Sequence, residues 1–126
     1  MRWRVLVVED DDSFAEMLAA VLESDGRFAI TAHARDGAEG VALSRALRPD
    51  VILMDIEMPL VDGVEATRRI IAERPVTRVI AVSGSDYSER ALEARLAGAY
   101  DYVRKSRIHE DLVDAAVAAV SPRCGR

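Results

Sequence analysis

Three short apolar runs decide what this chain can become. Arg4–Val8, Val51–Met54 and Val79–Val82 are almost unbroken runs of Val, Ile, Leu, Met and Ala. A strand with one wet face would alternate apolar with polar residues, so each run reads as a strand covered on both faces. Phe28–Ala32 and Tyr100–Arg104 mix in polar residues, as sheet edges do. Helical patterns fill the intervals. Ser13-Phe-Ala-Glu16 is a capping box, and Phe14, Met17, Leu18, Val21 and Leu22 follow at helical spacing. Asp36-Gly-Ala-Glu39, Asp62-Gly-Val-Glu65 and Asp86-Tyr-Ser-Glu89 offer further starts with Asp as the cap. Pro49 and Pro75 stop the second and third helices, and Gly98 ends the fourth. A fifth helix fits Arg107–Val120, with Ile108, Leu112, Ala116 and Val120 on one face.

Strand then helix, five times over, predicts a parallel sheet with helices on both faces and right-handed crossovers. The three most apolar strands belong at the centre and the second and fifth at the edges. The expected fold is therefore α/β, a (βα)5 doubly wound, five-stranded parallel sheet of flavodoxin-like order 2-1-3-4-5. Its ligand crevice lies at the carboxyl ends of the first and third strands. The 126 residues suit one domain, read as 1–120, with 121–126 a tail or the stub of a linker. A net charge of -5 argues against a nucleic-acid surface. The one cysteine, Cys124, permits no internal disulfide and reads as a free tail thiol. The apolar runs are too short for a signal peptide or a membrane span. The expected location is the cytoplasm, with no membrane contact.

The charged residues are not spread evenly. Val5-Leu-Val-Val-Glu-Asp-Asp-Asp-Ser-Phe14 runs four apolar residues straight into four acids. Two like charges about 4 Å apart repel by roughly 4 kcal/mol near a protein surface, so something must offset them. In the expected topology Glu9 and Asp10 end the first strand and Asp55 ends its neighbour, so three carboxylates converge on the crevice. Magnesium suits them: it prefers oxygen ligands, takes few carboxylates and keeps several waters. Asp11 and Asp12 face solvent or the start of the first helix. Ser83 ends the fourth strand and Lys105 the fifth, which adds a hydroxyl and an ammonium to the same rim. Such a set suits phosphoryl transfer to a carboxylate, with Asp as nucleophile.

On these residues the chain resembles a response-regulator receiver domain of two-component signal transduction, from Arg4 to about Val120. The most specific stretch is Val51-Ile-Leu-Met-Asp-Ile-Glu-Met-Pro-Leu-Val-Asp-Gly63. The resemblance implies that Asp55 accepts phosphate from a sensor histidine kinase or phosphotransfer protein. It implies Asp10 and Asp55 as Mg2+ ligands with the backbone carbonyl of Glu57, and Glu9 in the acidic pair, in the second shell or acting through water. It implies Ser83 and Tyr102 as the switch pair, Lys105 as the conserved-type lysine, and read-out on the face made by the fourth helix, fifth strand and fifth helix. Asp62-Gly-Val-Glu-Ala-Thr-Arg-Arg and Ala97-Gly-Ala-Tyr-Asp-Tyr resemble regulators with helix-turn-helix output domains, and an output domain or partner protein is an expected associate. By the same resemblance the chain is a phosphoacceptor regulator and not an enzyme, assisting only its own phosphorylation and dephosphorylation.

Some positions depart from the pattern or have plainer readings. Ser106 follows Lys105 where many members have proline; a cis bond before a non-proline costs roughly 2.5–4 kcal/mol, so a trans bond is expected. Glu57 and Ser85 stand where the family tunes dephosphorylation. Asp62 caps a helix whatever the function, and Gly63 allows a tight helix start. Tyr102 in an edge strand would half-bury its ring in any case. Tyr87 and Tyr100 read as surface aromatics, Trp3 as cover for a core edge, and His33 and His109 carry no assignment. The Ala- and Val-rich last helix suggests an apolar patch and a homodimer. A haloacid-dehalogenase-type phosphatase would also use a strand-end Asp with magnesium, and Asp10-Asp-Asp12 offers an Asp-x-Asp. It would place the nucleophile on the first strand and leave the Met-Pro-x-x-Asp-Gly stretch unexplained. A pseudo-receiver that binds partners without phosphorylation sits poorly with the complete set. A flavin or nucleotide binder lacks its phosphate cradle.

Overall fold

A computed structural model describes residues 2–58, 61–84 and 88–121. The expected Asp86 cap, Ser85, Tyr87, Pro59 of the Met-Pro pair and the 122–126 stretch with Cys124 lie outside the described residues. The elements run β1 (Trp3–Val8), α1 (Asp12–Glu23), β2 (Phe28–Ala34), α2 (Gly37–Leu47), β3 (Val51–Asp55), α3 (Gly63–Glu73), β4 (Arg78–Ser83), α4 (Ser88–Ala97), β5 (Asp101–Arg104) and α5 (Ile108–Val120). A 3-10 turn, Lys105–Arg107, joins β5 to α5. All strand pairs are parallel, in the order β2-β1-β3-β4-β5, as expected from the apolar runs.

Those runs are continuous because the pleat sends alternate residues to two cores. Val5, Val7, Leu53, Ile80 and Val82 pack with α1 and α5 on one side of the sheet. Leu6, Val8, Ile52, Met54, Val79 and Ala81 pack with α2, α3 and α4 on the other. Every residue of β3 is buried, and each fully buried Leu or Ile contributes about 1.5–3 kcal/mol by leaving water. The edge strands β2 and β5 show mixed burial.

Local chemistry fixes the helix starts. The Asp36 side chain accepts from Glu39 N and the Asp62 side chain from Glu65 N, as the capping pattern predicts. The first helix departs from expectation: its cap is Asp11, which accepts from Phe14 N, and not Ser13. Both can cap, and the chain leaves extended geometry at Asp11, which wins by position. The last helix begins at Ile108, one residue after Arg107, because the 3-10 turn takes the residues before it. Gly98 closes α4 at φ 115°, a conformation glycine adopts without Cβ strain. No cis peptide bond occurs among the described residues, so the Lys105–Ser106 bond is trans.

Two surface expectations need correction. Tyr100 is half-buried against the first core, donates its hydroxyl to Ala118 O at 3.2 Å and lies under Arg78 at 5.5 Å. The last helix spends its apolar residues inward: Ala115, Ala116 and Ala119 are buried, with Val113, Val117 and Val120 packed against them. The exposed large hydrophobics among the described residues are Leu92 and Leu96 of α4, with Val76 and Trp3.

Candidate functional site

Parallel topology carries the ends of β1, β3, β4 and β5 to one rim, and the expected residues meet there. Oxygen atoms of Glu9, Asp10 and Asp55 lie within 4.8 Å of one another. Glu9 and Asp55 are buried, while Asp10 is exposed at the mouth. Lys105 Nζ bridges the two buried acids, 3.2 Å from Glu9 Oε1 and 3.5 Å from Asp55 Oδ2. Its ammonium also lies 4.6 Å from the centre of the Phe14 ring, which adds a cation–π contact. Glu57 N donates to Asp55 Oδ1 at 3.0 Å, so the carboxylate plane is set before any substrate arrives. Ser83 is fully buried at the end of β4. Tyr102 pairs with Ala81 across β4 and β5 and is half-buried against the second core.

Other contacts at the rim had no sequence signal. His33 Nε2 lies 2.7 Å from the carbonyl of Glu9; since the acceptor is a carbonyl, Nε2 carries the proton. Glu57 Oε1 accepts from Gly84 N at 3.1 Å, tying the loop after β3 to the loop after β4. Arg90 of α4 donates to Ile56 O at 2.8 Å. An isolated His or Arg shows no periodicity; these contacts arise from distant segments meeting.

The electrostatics point to a missing positive charge. Three carboxylates face one ammonium. Glu9 Oε1 is the one buried side-chain polar atom among the described residues without a hydrogen bond, its near contact being the 3.2 Å ion pair with Lys105. Burial pushes the Glu9 carboxyl from its ordinary 4.5 up to about 7; the Asp55 charge adds to the rise, while Asp11 N–H and Lys105 oppose it. Burial alone would lower the Lys105 ammonium, but the Asp55 and Glu9 charges outweigh it and hold it above its ordinary value. An all-oxygen donor set with one exposed member and a buried oxygen without a hydrogen bond fits a divalent cation such as Mg2+.

The Glu9 shift has a measurable consequence without metal. Its folded pKa exceeds its unfolded value, so between about 4.5 and 7 the fold binds the extra proton and stability falls as pH rises. Glu9→Gln should therefore raise stability at pH 8 in EDTA, by up to about 3 kcal/mol, and change little at pH 5. Thermal melts at both values check this. An equal effect at both, or a loss at pH 8, would contradict it.

A doubly wound sheet carrying buried acids, a strand-end Asp and a bridging Lys at its switch point defines a phosphoacceptor class of protein. Residues 5–117 match the response regulator receiver domain family, and the chain belongs to it. The response regulator domain of Thermotoga maritima CheB superimposes with a TM-score of 0.84 at 33% identity, covering 97% of this chain and 100% of that one. A LuxR-family two-component response regulator from an Aurantimonas species gives 0.89 at 33% identity, covering 94% and 84%. Among curated proteins, protein-glutamate methylesterase/protein-glutamine glutaminase 3 of Anaeromyxobacter dehalogenans is 45% identical over 106 residues, 82% of this chain but 31% of the relative. The chain thus spans about 30% of the length of such relatives.

Acceptance of phosphate is the general function of this domain, and receiver domains bind Mg2+ at an acidic pocket and interact with histidine kinases, phosphotransfer proteins and output domains. The expectation that the chain is not an enzyme is corrected by its relatives, several of which are named as enzymes. Receiver residues report phosphate chemistry at the strand ends and carry no information on what an attached region catalyses. No helix among the described residues is long and apolar enough to cross a membrane.

Proposed function

We propose that Asp55 takes phosphate from the phosphohistidine of a sensor kinase or phosphotransfer protein, in the cytoplasm, and that the change is read on the α4–β5–α5 face. The observation that carries this is the meeting of Glu9, Asp10, Asp55 and Lys105 at one rim. Asp55 Oδ1 is engaged by Glu57 N, and Oδ2 lies on the Lys105 side. In this reading a carboxylate oxygen attacks phosphorus, the bond to the donor's histidine nitrogen breaks, and the imidazole leaves with the electron pair. Lys105 neutralises charge on the incoming group, and the Ser83 hydroxyl supplies a hydrogen bond. Mg2+, held by Asp10, Asp55 and the Glu57 carbonyl with Glu9 acting through water, would supply further charge neutralisation.

Read-out follows from where these groups sit. Ser83 and Gly84 begin the loop that leads to α4, and Tyr102 lies on the strand beside it. Drawing Ser83 toward the phosphoryl group moves that loop and frees Tyr102 to turn, biasing a two-state surface. Exposed Leu92 and Leu96, one helical turn apart on α4, support this face as the partner surface, including pairing with a second copy. Residues 1–120 form the receiver in this reading, with 121–126 a tail or a linker toward an output region. Acetyl phosphate with Mg2+ should add one phosphoryl group to the intact mass, and borohydride trapping should map it to Asp55. Label on Asp10 would support the phosphatase scheme instead.

A further inference from the structure

At the end of the sheet opposite this site, α2 and α3 finish side by side around a cleft of about 140 Å³ lined by Ser44, Arg45, Arg48, Ile70, Glu73 and Arg74. Three arginines face one glutamate, an excess of positive charge on a chain whose net charge is -5. Arg45 is paired with Glu73 through two hydrogen bonds, at 3.0 and 2.6 Å. Arg74 uses Nη1 on Pro49 O at 2.9 Å and on Thr77 Oγ1 at 3.4 Å, which fixes the guanidinium and leaves Nε and Nη2 available. The helix-end carbonyls, which would repel an anion, are partly covered: Arg48 O accepts from Arg4 Nη1 at 2.9 Å.

Two groups on the cleft wall have no partner among the described residues. Ser44 is 6% exposed, yet its hydroxyl, on the cleft wall, makes no hydrogen bond among the described residues. Arg48 is the C-cap of α2 at φ 51°, ψ 59°, the left-handed region where glycine would sit without strain. Its guanidinium makes no hydrogen bond or ion pair among the described residues. A left-handed backbone presents an exposed, unpaired cation beside an unpaired hydroxyl that opens onto the cleft, with Ile70 as an apolar wall. We infer that this cleft binds a phosphate group, either inorganic phosphate or the phosphate of a small monoester whose remainder stays in solvent. Arg48 and Arg74 would supply charged donors and Ser44 a neutral one.

The test is amide chemical-shift titration of the 126-residue chain in EDTA at constant ionic strength, with inorganic phosphate in one arm and glycerol phosphate in the other. Saturable shifts at Ser44, Arg48 and Arg74, half-complete near ~1 mM, are expected. Shifts with both probes mark a site for monoesters, and shifts with inorganic phosphate alone mark a site for the free ion. Arg48→Gly is the decisive variant, because glycine suits the left-handed position: the Tm should hold or rise while affinity falls at least ~10-fold. Ser44→Ala should weaken binding with the fold intact. Unsaturable shifts, shifts spread evenly over surface arginines, or undiminished binding by Arg48→Gly would overturn the assignment. None of these readouts depends on Asp55.

Discussion

The Asp55→Asn variant will fold and take up no phosphate from acetyl phosphate, a loss of at least about a thousandfold. The amide is nearly isosteric, and its oxygen still accepts from Glu57 N, so the loop after β3 keeps its anchor. It is not a nucleophile, and no neighbouring carboxylate is placed to replace it: Glu9 is buried against Lys105 and Asp10 stands at the mouth. Stability should not fall, because removing the Asp55 charge relieves Glu9, whose carboxyl that charge helps to raise. Intact mass after incubation with acetyl phosphate and Mg2+, alongside a thermal melt in EDTA, measures both effects. Uptake equal to that of the parent chain would overturn the assignment of Asp55.

Gly63→Ala should destabilise the chain by about 3 kcal/mol or more, lowering Tm by roughly 10 °C. The first residue of α3 is pressed against the end of β3. A Cβ at Gly63 would lie 2.2 Å from the carbonyl oxygen of Asp55 and 2.4 Å from the Cα of Ile56. Both are backbone atoms, so no side chain can rotate away. Either α3 retreats, opening the second core around Val64, Ala66 and Ile70, or the Asp55–Ile56 peptide shifts and takes the Asp55 carboxylate with it. The variant should therefore lose phosphorylation rate as well as stability. Denaturant unfolding gives the first and acetyl phosphate kinetics the second; a loss below ~1 kcal/mol would mean that the helix start yields easily.

Much of this fold is legible in the sequence. The central strands were legible because a sheet covered on both faces needs no polar residue, and Val51–Met54 has none. Asp36 and Asp62 were legible as caps because each precedes a Glu at the third helical position and an apolar pattern. The cap of α1 was not, because Asp11, Asp12 and Ser13 compete and the path out of β1 chooses among them. The apolar stripe of α5 through Ile108, Leu112 and Ala116 was visible, but its width was not, so an apolar patch was expected where Ala115 and Ala119 are buried.

The site divides in the same way. Local periodicity and spacing by themselves determined the order of the elements and placed Glu9, Asp10, Asp55, Ser83 and Lys105 at strand ends, because pleat and helix repeats act over a few residues. The tertiary structure alone decided that Glu9 is sealed while Asp10 is wet, that His33 holds the Glu9 carbonyl and that Glu57 reaches Gly84. Burial and long-range hydrogen bonds depend on which segments become neighbours, and adjacent acids in a sequence carry no mark of which one the fold will cover.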